Sequence, residues 1–222
     1  MNLDIQAFIF DLDGLMVNSE ELSLIAWRRI LAPYGKSLSE QDYFALIGQD
    51  SRASATHVLV GTGIPLNWDE LSHAHWQELI SIIERELEPR PGLIDLVNDM
   101  VHSGYRLAIA SNSPSDYVLR AVQAIGLRDA FPCVVGRDQV ASGKPSPDVY
   151  LAAATCLAVS PDRCLALEDS PIGMQAALAA GMKCIVVPNI NLPNADFNGA
   201  FLQCETLSAV QTALDSLWHT HD

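Results

Sequence analysis

The sequence predicts an α/β fold, a doubly wound parallel sheet with a small all-helical unit inserted after its first strand. Three observations lead there. Short apolar runs, nearly unbroken, end abruptly in polar or small residues. Helical patterns alternate with those runs. One stretch, from about Val17 to Glu88, carries helical patterns and no strand pattern. Unbroken apolar runs fit parallel strands covered on both faces. Their alternation with helices fits βαβ units rather than hairpins.

In chain order, the first run is "AFIF", Ala7–Phe10, which stops at Asp11. "YRLAIA" stops at Ser111, "CVV" at Gly136, "CLAL" at Glu168 and "CIVV" at Pro188. Between them lie the helical patterns "SDYVLRAVQAIGL", "SPDVYLAAATCLAV" and "IGMQAALAAG". The insert reads as four helical segments: "EELSLIAWRRILAPYG", "SEQDYFALIG", "SRASATHVLVGTG" and "NWDELSHAHWQELISIIEREL". The last opens on Asn67, with Asp69 and Glu70 in its first turn, a helix-start signature. "EPRPG", Glu88–Gly92, is the hinge back. The expected division is a core of residues 1–16 and 90–222 and a helical cap of residues 17–89.

A chain of 222 residues can bury one substantial core plus a small insert. Lys and Arg number 13 against 27 Asp and Glu, a net charge of −14. That balance argues against nucleic acid and against an anionic membrane as partners. It also repels a phosphorylated substrate, unless a metal ion and a few placed cations reverse the field locally. "MNLDIQAFIFDLDG" lacks the basic start of a signal peptide, and no run reaches membrane-spanning length. The cysteines, Cys133, Cys156, Cys164, Cys184 and Cys204, are scattered and form no C-x-x-C pair. They read as reduced, buried small hydrophobes, which suits a cytoplasmic protein. A monomer is expected. His219 and His221 read as a solvated tail.

In open α/β sheets ligands bind beyond the carboxyl ends of the strands. There the sequence places Asp11 and Asp13, then "SNS" (Ser111–Ser113), Lys144 within "SGKPSPD", and Glu168–Asp169 within "EDS". Carboxylates without a His or Cys partner suit a hard, oxygen-seeking cation, Mg²⁺ foremost. A lysine beside such an ion suggests an anionic substrate. A serine followed by backbone amides at a helix start can hold phosphate oxygens. Asp11 can act as a nucleophile forming an aspartyl-phosphate. Asp13, two residues on, points to the same side of extended chain, where a general acid–base belongs. The set suggests phosphoryl transfer through a covalent intermediate.

"DLDG", "SNS", "GKPSPDVYLAAA" and "EDSPIGMQAALAAGM" together resemble the four motifs of the haloacid dehalogenase-like hydrolase superfamily in order, spacing and strand placement. The helical insert resembles the small cap of its β-phosphoglucomutase and phosphoglycolate phosphatase branch. The resemblance implies a nucleophile and metal ligand at Asp11. It implies an acid–base at Asp13, which reaches the metal through its backbone carbonyl. It places the transferring phosphoryl on Ser111, the Asn112 amide and Lys144. Asp169 is then a direct metal ligand, and Glu168 is bound directly or through water. Gly14 matches the glycine that lets the chain turn close to the substrate.

The cap narrows the branch. Where a β-phosphoglucomutase has a cap histidine, this chain has Ser23. Arg52 resembles a cap arginine that contacts the far end of a phosphosugar, although the loop before it is one residue longer. His73 or His75 falls near a position where relatives carry a lysine. The true dehalogenases of the superfamily lack a second aspartate, and Asp13 is present here. The expectation is a Mg²⁺-dependent phosphatase of a small phosphorylated metabolite, of the sugar phosphate or phosphoglycolate type. A phosphosugar mutase of the β-phosphoglucomutase type is the alternative.

Overall fold

A computed structural model describes residues 4–46, 51–189 and 195–218, the side chains of residues 44, 51, 217 and 218 excepted. The part of the cap from Ile47 to Asp50 and the histidines at 219 and 221 lie outside the described residues. The chain divides into two compact units, Met1–Val17 with Glu88–Asp222, and Asn18–Leu87.

Strand β1 (Ala7–Phe10) opens the first unit and is buried along its whole length. The second unit follows. Its helices are α1 (Glu20–Leu31), α2 (Glu40–Phe44), α3 (Ser51–Thr62) and α4 (Trp68–Glu86). Its own small core gathers Leu24, Trp27 and Leu31 of α1, Ala55 and Val58 of α3, and Leu71 of α4. Helix α4 starts on a reciprocal cap. The Asn67 side chain accepts from the amides of Asp69 and Glu70, and the Glu70 carboxylate accepts from the Asn67 amide. Such a cap stabilises a helix by about 1 kcal/mol.

The first unit resumes with α5 (Leu93–His102), β2 (Arg106–Ala110), α6 (Ser115–Ala124) and β3 (Cys133–Val135). It continues with α7 (Asp148–Leu157), β4 (Cys164–Glu168), α8 (Pro171–Ala179) and β5 (Lys183–Val186). It ends with β6 (Leu202–Gln203) and α9 (Leu207–Trp218). The sheet order is β3-β2-β1-β4-β5-β6, all parallel. The last residue of β1, Phe10, stands opposite Ile109 of β2 and Leu167 of β4. The three central strands therefore finish level, and the residues that follow them converge on one edge. The sequence signals five strands. The sixth, β6, is a two-residue edge strand, too short to carry a pattern of its own.

The cysteine expectation needs correction. Cys133 of β3 and Cys156 of α7 form a disulfide, with Cα atoms 5.9 Å apart across a separation of 23 residues. Helix α7 packs against β2 and β3, which brings the pair together although no local motif announces it. Cys164, Cys184 and Cys204 are free and buried, as expected. The step from five reduced thiols to a cytoplasmic location loses its premise. Among the described residues no helix is long and apolar enough to cross a membrane.

Candidate active site

Residues of the first unit gather at the carboxyl edge of the sheet. Asp11 leaves β1 with its amide held by the Leu167 carbonyl of β4 (3.0 Å). Its side chain is 9% exposed. Lys144, on the loop between β3 and α7, reaches it with Nζ 2.5 Å from Oδ1. The same ammonium lies 2.6 Å from Oε1 of Glu168 at the end of β4. The Lys144 side chain is 5% exposed, so the ion pairs are nearly dry. Burial lowers the lysine's pKa, but Asp11 and Glu168 outweigh burial and hold the ammonium above its ordinary range.

Glu168 is wholly buried and fully engaged. Besides Lys144, its Oε1 accepts from the Tyr150 hydroxyl of α7 at 2.6 Å. Its Oε2 accepts from the Asp169 amide (3.1 Å), the Ser170 amide (3.4 Å) and the Ser170 hydroxyl (3.2 Å). Burial, then Glu168 and Asp11, push the Tyr150 phenol well above its usual range, so it stays a donor. Asp169 is oriented by Asn189, whose Nδ2 donates to Oδ2 at 2.8 Å. Oxygens of Asp11, Glu168 and Asp169 all lie within 4.8 Å of one another. Burial, together with Glu168, Asp169 and Asp13, pushes the Asp11 carboxyl well up, and Lys144 pulls against them. The ammonium pairs with two of the three carboxylates; with all three ionised, two formal negative charges are left over, the charge of one divalent ion.

Gly14 makes room for this cluster. It sits at φ +87°, where a Cβ would overlap the Asp169 carboxylate and stand 2.7 Å from Asn189 Nδ2. Its carbonyl accepts from the guanidinium of Arg90. Ser111, 1% exposed, follows β2, and its hydroxyl accepts from the Ser113 amide at 3.0 Å. The Asn112 side chain is bound to the Lys144 backbone twice, accepting from its amide (2.7 Å) and donating to its carbonyl (3.2 Å). The phosphate-site expectations at Ser111, Asn112 and Lys144 thus fall on two loops fastened to each other.

The Asp13 carboxylate is held by the chain that follows β2. Its Oδ2 accepts from the Ser113 hydroxyl at 2.7 Å and its Oδ1 from the Tyr117 hydroxyl of α6 at 2.8 Å.

The structure thus brings together Asp11, Asp13, Ser111, Asn112, Lys144, Glu168 and Asp169. Ser113, Tyr117, Tyr150 and Asn189 also build the site, and the sequence does not single them out. Ser113 lies inside the quoted "SNS". The two tyrosines read as apolar positions of helices.

The cap expectations fare differently. Arg52 is exposed, with its guanidinium 4.7 Å from the Trp68 ring centroid. His73 is exposed. His75 packs inside the helical unit. It is buried, its ring stacks on Trp27 at 4.1 Å, and its Nε2 lies 3.0 Å from the Ser23 hydroxyl. Packing and pairing inside the helical unit already engage its ring faces and one nitrogen.

Comparisons with known proteins place the chain in a family and a fold. The family model described as haloacid dehalogenase-like hydrolase matches residues 8–187. Protein CbbY of Cereibacter sphaeroides is 33% identical over 88% of this chain and 90% of its own. Fructose-1-phosphate phosphatase YqaB of Escherichia coli is 32% identical over 81% of this chain and 94% of its own. The crystal structure of CbbY from Rhodobacter sphaeroides in complex with phosphate superposes with a TM-score of 0.84 at 29% identity. It covers 93% of this chain and 96% of that one.

Proposed function

The chain belongs to the haloacid dehalogenase-like hydrolases and is a phosphatase of that family, and we propose that it hydrolyses a small sugar phosphate through an aspartyl-phosphate on Asp11. One observation carries the mechanism: Lys144, from the loop before α7, joins the buried Asp11 and Glu168 where β1, β2 and β4 end. A sugar phosphate as substrate is supported by YqaB, named for fructose 1-phosphate, and by a phosphate-bound neighbour of the same fold.

Asp11 attacks phosphorus with the oxygen that does not face Lys144. Asp13 gives a proton to the leaving alcohol, then takes one from water as that water hydrolyses the aspartyl-phosphate. Ser111 and the Lys144 ammonium hold phosphoryl oxygens, and Asn112 keeps the Lys144 loop docked. The donor set suits Mg²⁺, being all oxygen and short of two positive charges. Asp11 and Asp169 would hold it, with the Asp13 backbone carbonyl. When bound, the ion neutralises charge spread over the phosphoryl group. Glu168 enters with both oxygens bonded by the chain, so we assign it to placing Lys144 rather than to direct coordination.

Two measurements test this. Release of phosphate from p-nitrophenyl phosphate should cease on complete metal removal with EDTA and return with added Mg²⁺. Asp11→Asn should abolish turnover by at least about 10³-fold while the fold is retained by circular dichroism. Turnover that survives either treatment contradicts the mechanism. Isomerisation of a sugar phosphate without net phosphate release would favour the mutase alternative.

A further inference from the structure

Asp13 is held by two hydroxyls, one on each carboxylate oxygen, and both come from a single stretch of chain after β2. Ser113 lies in the loop and is half-buried, whereas Tyr117 lies in the first turn of α6 and is 1% exposed. A buried phenol needs an acceptor, because an unpaired hydroxyl out of water costs about 1–3 kcal/mol. A structural role alone could use any nearby carbonyl. Here the acceptor is a carboxylate 104 residues away, two positions after the buried Asp11.

We propose that Ser113 and Tyr117 are positioning residues for general acid–base catalysis, fixing the carboxylate plane of Asp13. The proposal rests on the acid–base reading of Asp13. The two bonds remove the free rotation that a carboxylate two residues past a strand end would otherwise keep. When Asp13 carries the proton, that O–H donates towards the leaving oxygen, and the protonated oxygen keeps a lone pair for its hydroxyl partner. The Ser113 hydroxyl can rotate in its half-open surroundings. The Tyr117 hydroxyl is confined to its ring plane inside the core. Tyr117 is therefore the fixed anchor, on Oδ1, and the Ser113 side is the adjustable one, on Oδ2. In the first half-reaction the bond from Asp11 oxygen to phosphorus forms as the bond to the leaving oxygen breaks, and the Asp13 proton passes to that oxygen. In the second, Asp13 takes a proton from water, the water oxygen bonds to phosphorus, and the Asp11 carboxylate leaves.

Positioning of an acid has a signature that a structural role lacks. It matters for a poor leaving group, which needs the proton, and little for a good one. The test compares kcat/KM for glycerol 1-phosphate and p-nitrophenyl phosphate in Tyr117→Phe, Ser113→Ala and Asp13→Ala, with Mg²⁺ saturating. This parameter reports the steps up to alcohol release. Tyr117→Phe should lower kcat/KM for glycerol 1-phosphate about 10-fold or more and for the nitrophenyl ester less than about 3-fold. Ser113→Ala should shift the ratio the same way but less. An equal fall on both substrates in Tyr117→Phe, or no fall, overturns the proposal. If Tyr117→Phe does not fold, Ser113→Ala decides by the same ratio. Asp13→Ala separates the two levels of the argument: undiminished turnover of glycerol 1-phosphate there defeats the acid–base reading itself.

Discussion

At Gly173, the third residue of α8, two local effects oppose each other. A glycine inside a helix is normally improved by alanine, which gains about 1 kcal/mol of propensity. Here a Cβ would overlap the carboxyl of Glu168, which lies over the start of α8. That carboxyl is locked by Lys144, Tyr150 and Ser170 and has no free direction in which to retreat. The clash should win. Gly173→Ala is expected to lower stability by about 1–3 kcal/mol in urea denaturation and to cut kcat by moving Lys144. A variant more stable than the parent would show that Glu168 moves freely. The acidic residues of this site are legible in the sequence because each interrupts an apolar strand at its end. Tyr117, Tyr150 and Asn189 are not, because what distinguishes them is a partner 104, 18 and 20 residues away. A tyrosine on the apolar side of a helix reads as core, and it is core. Only the fold shows where its hydroxyl goes.

Among the elements, α4 was the most legible, since its start is spelled out by Asn67, Asp69 and Glu70 and its length allows five turns of pattern. Edge strand β6 left no trace in the sequence, because two residues carry no periodicity. The inward side of α4 also has a pH consequence. Burial holds the His75 pKa down at about 3 against an ordinary 6.5, although the Ser23 hydrogen bond pulls it upward. The folded chain therefore keeps His75 neutral where the unfolded chain would protonate it. This group subtracts nothing above about pH 6.5, and stability falls as pH drops from there towards 3. The slope from one such group is at most about 1.4 kcal/mol per pH unit. His75→Gln should remove that part of the slope, read as urea midpoints at pH 7.5 and pH 5. An unchanged slope would assign the effect to other groups.

Taken whole, the molecule carries −14 yet is assigned an anionic substrate. The general field repels a phosphate monoester; in the proposed mechanism Lys144 and the Mg²⁺ would reverse that field locally. Raising KCl from about 0.01 to 0.15 M shortens the screening length from about 30 to about 8 Å. That removes the long-range repulsion while sparing the buried contacts. At saturating Mg²⁺, kcat/KM for a sugar phosphate should rise by a factor of a few; a fall would show that the local cations govern encounter. The overall α/β plan was legible because hydrophobic runs and helical periods repeat across the chain. The Cys133–Cys156 pairing was not, because it depends on how α7 lies on β3. The central place of β1 bears on how this protein emerges from a ribosome. Its neighbours begin at Arg106 and Cys164, so the strand leading to Asp11 is made before both and completed late. The helical unit, whose own core lies between Leu24 and Leu71, can close meanwhile on its own contacts. A nascent chain stopped before Cys164 leaves Asp11 beside an open strand edge, and the residues from Cys164 onward decide whether that carboxylate becomes part of an enzyme.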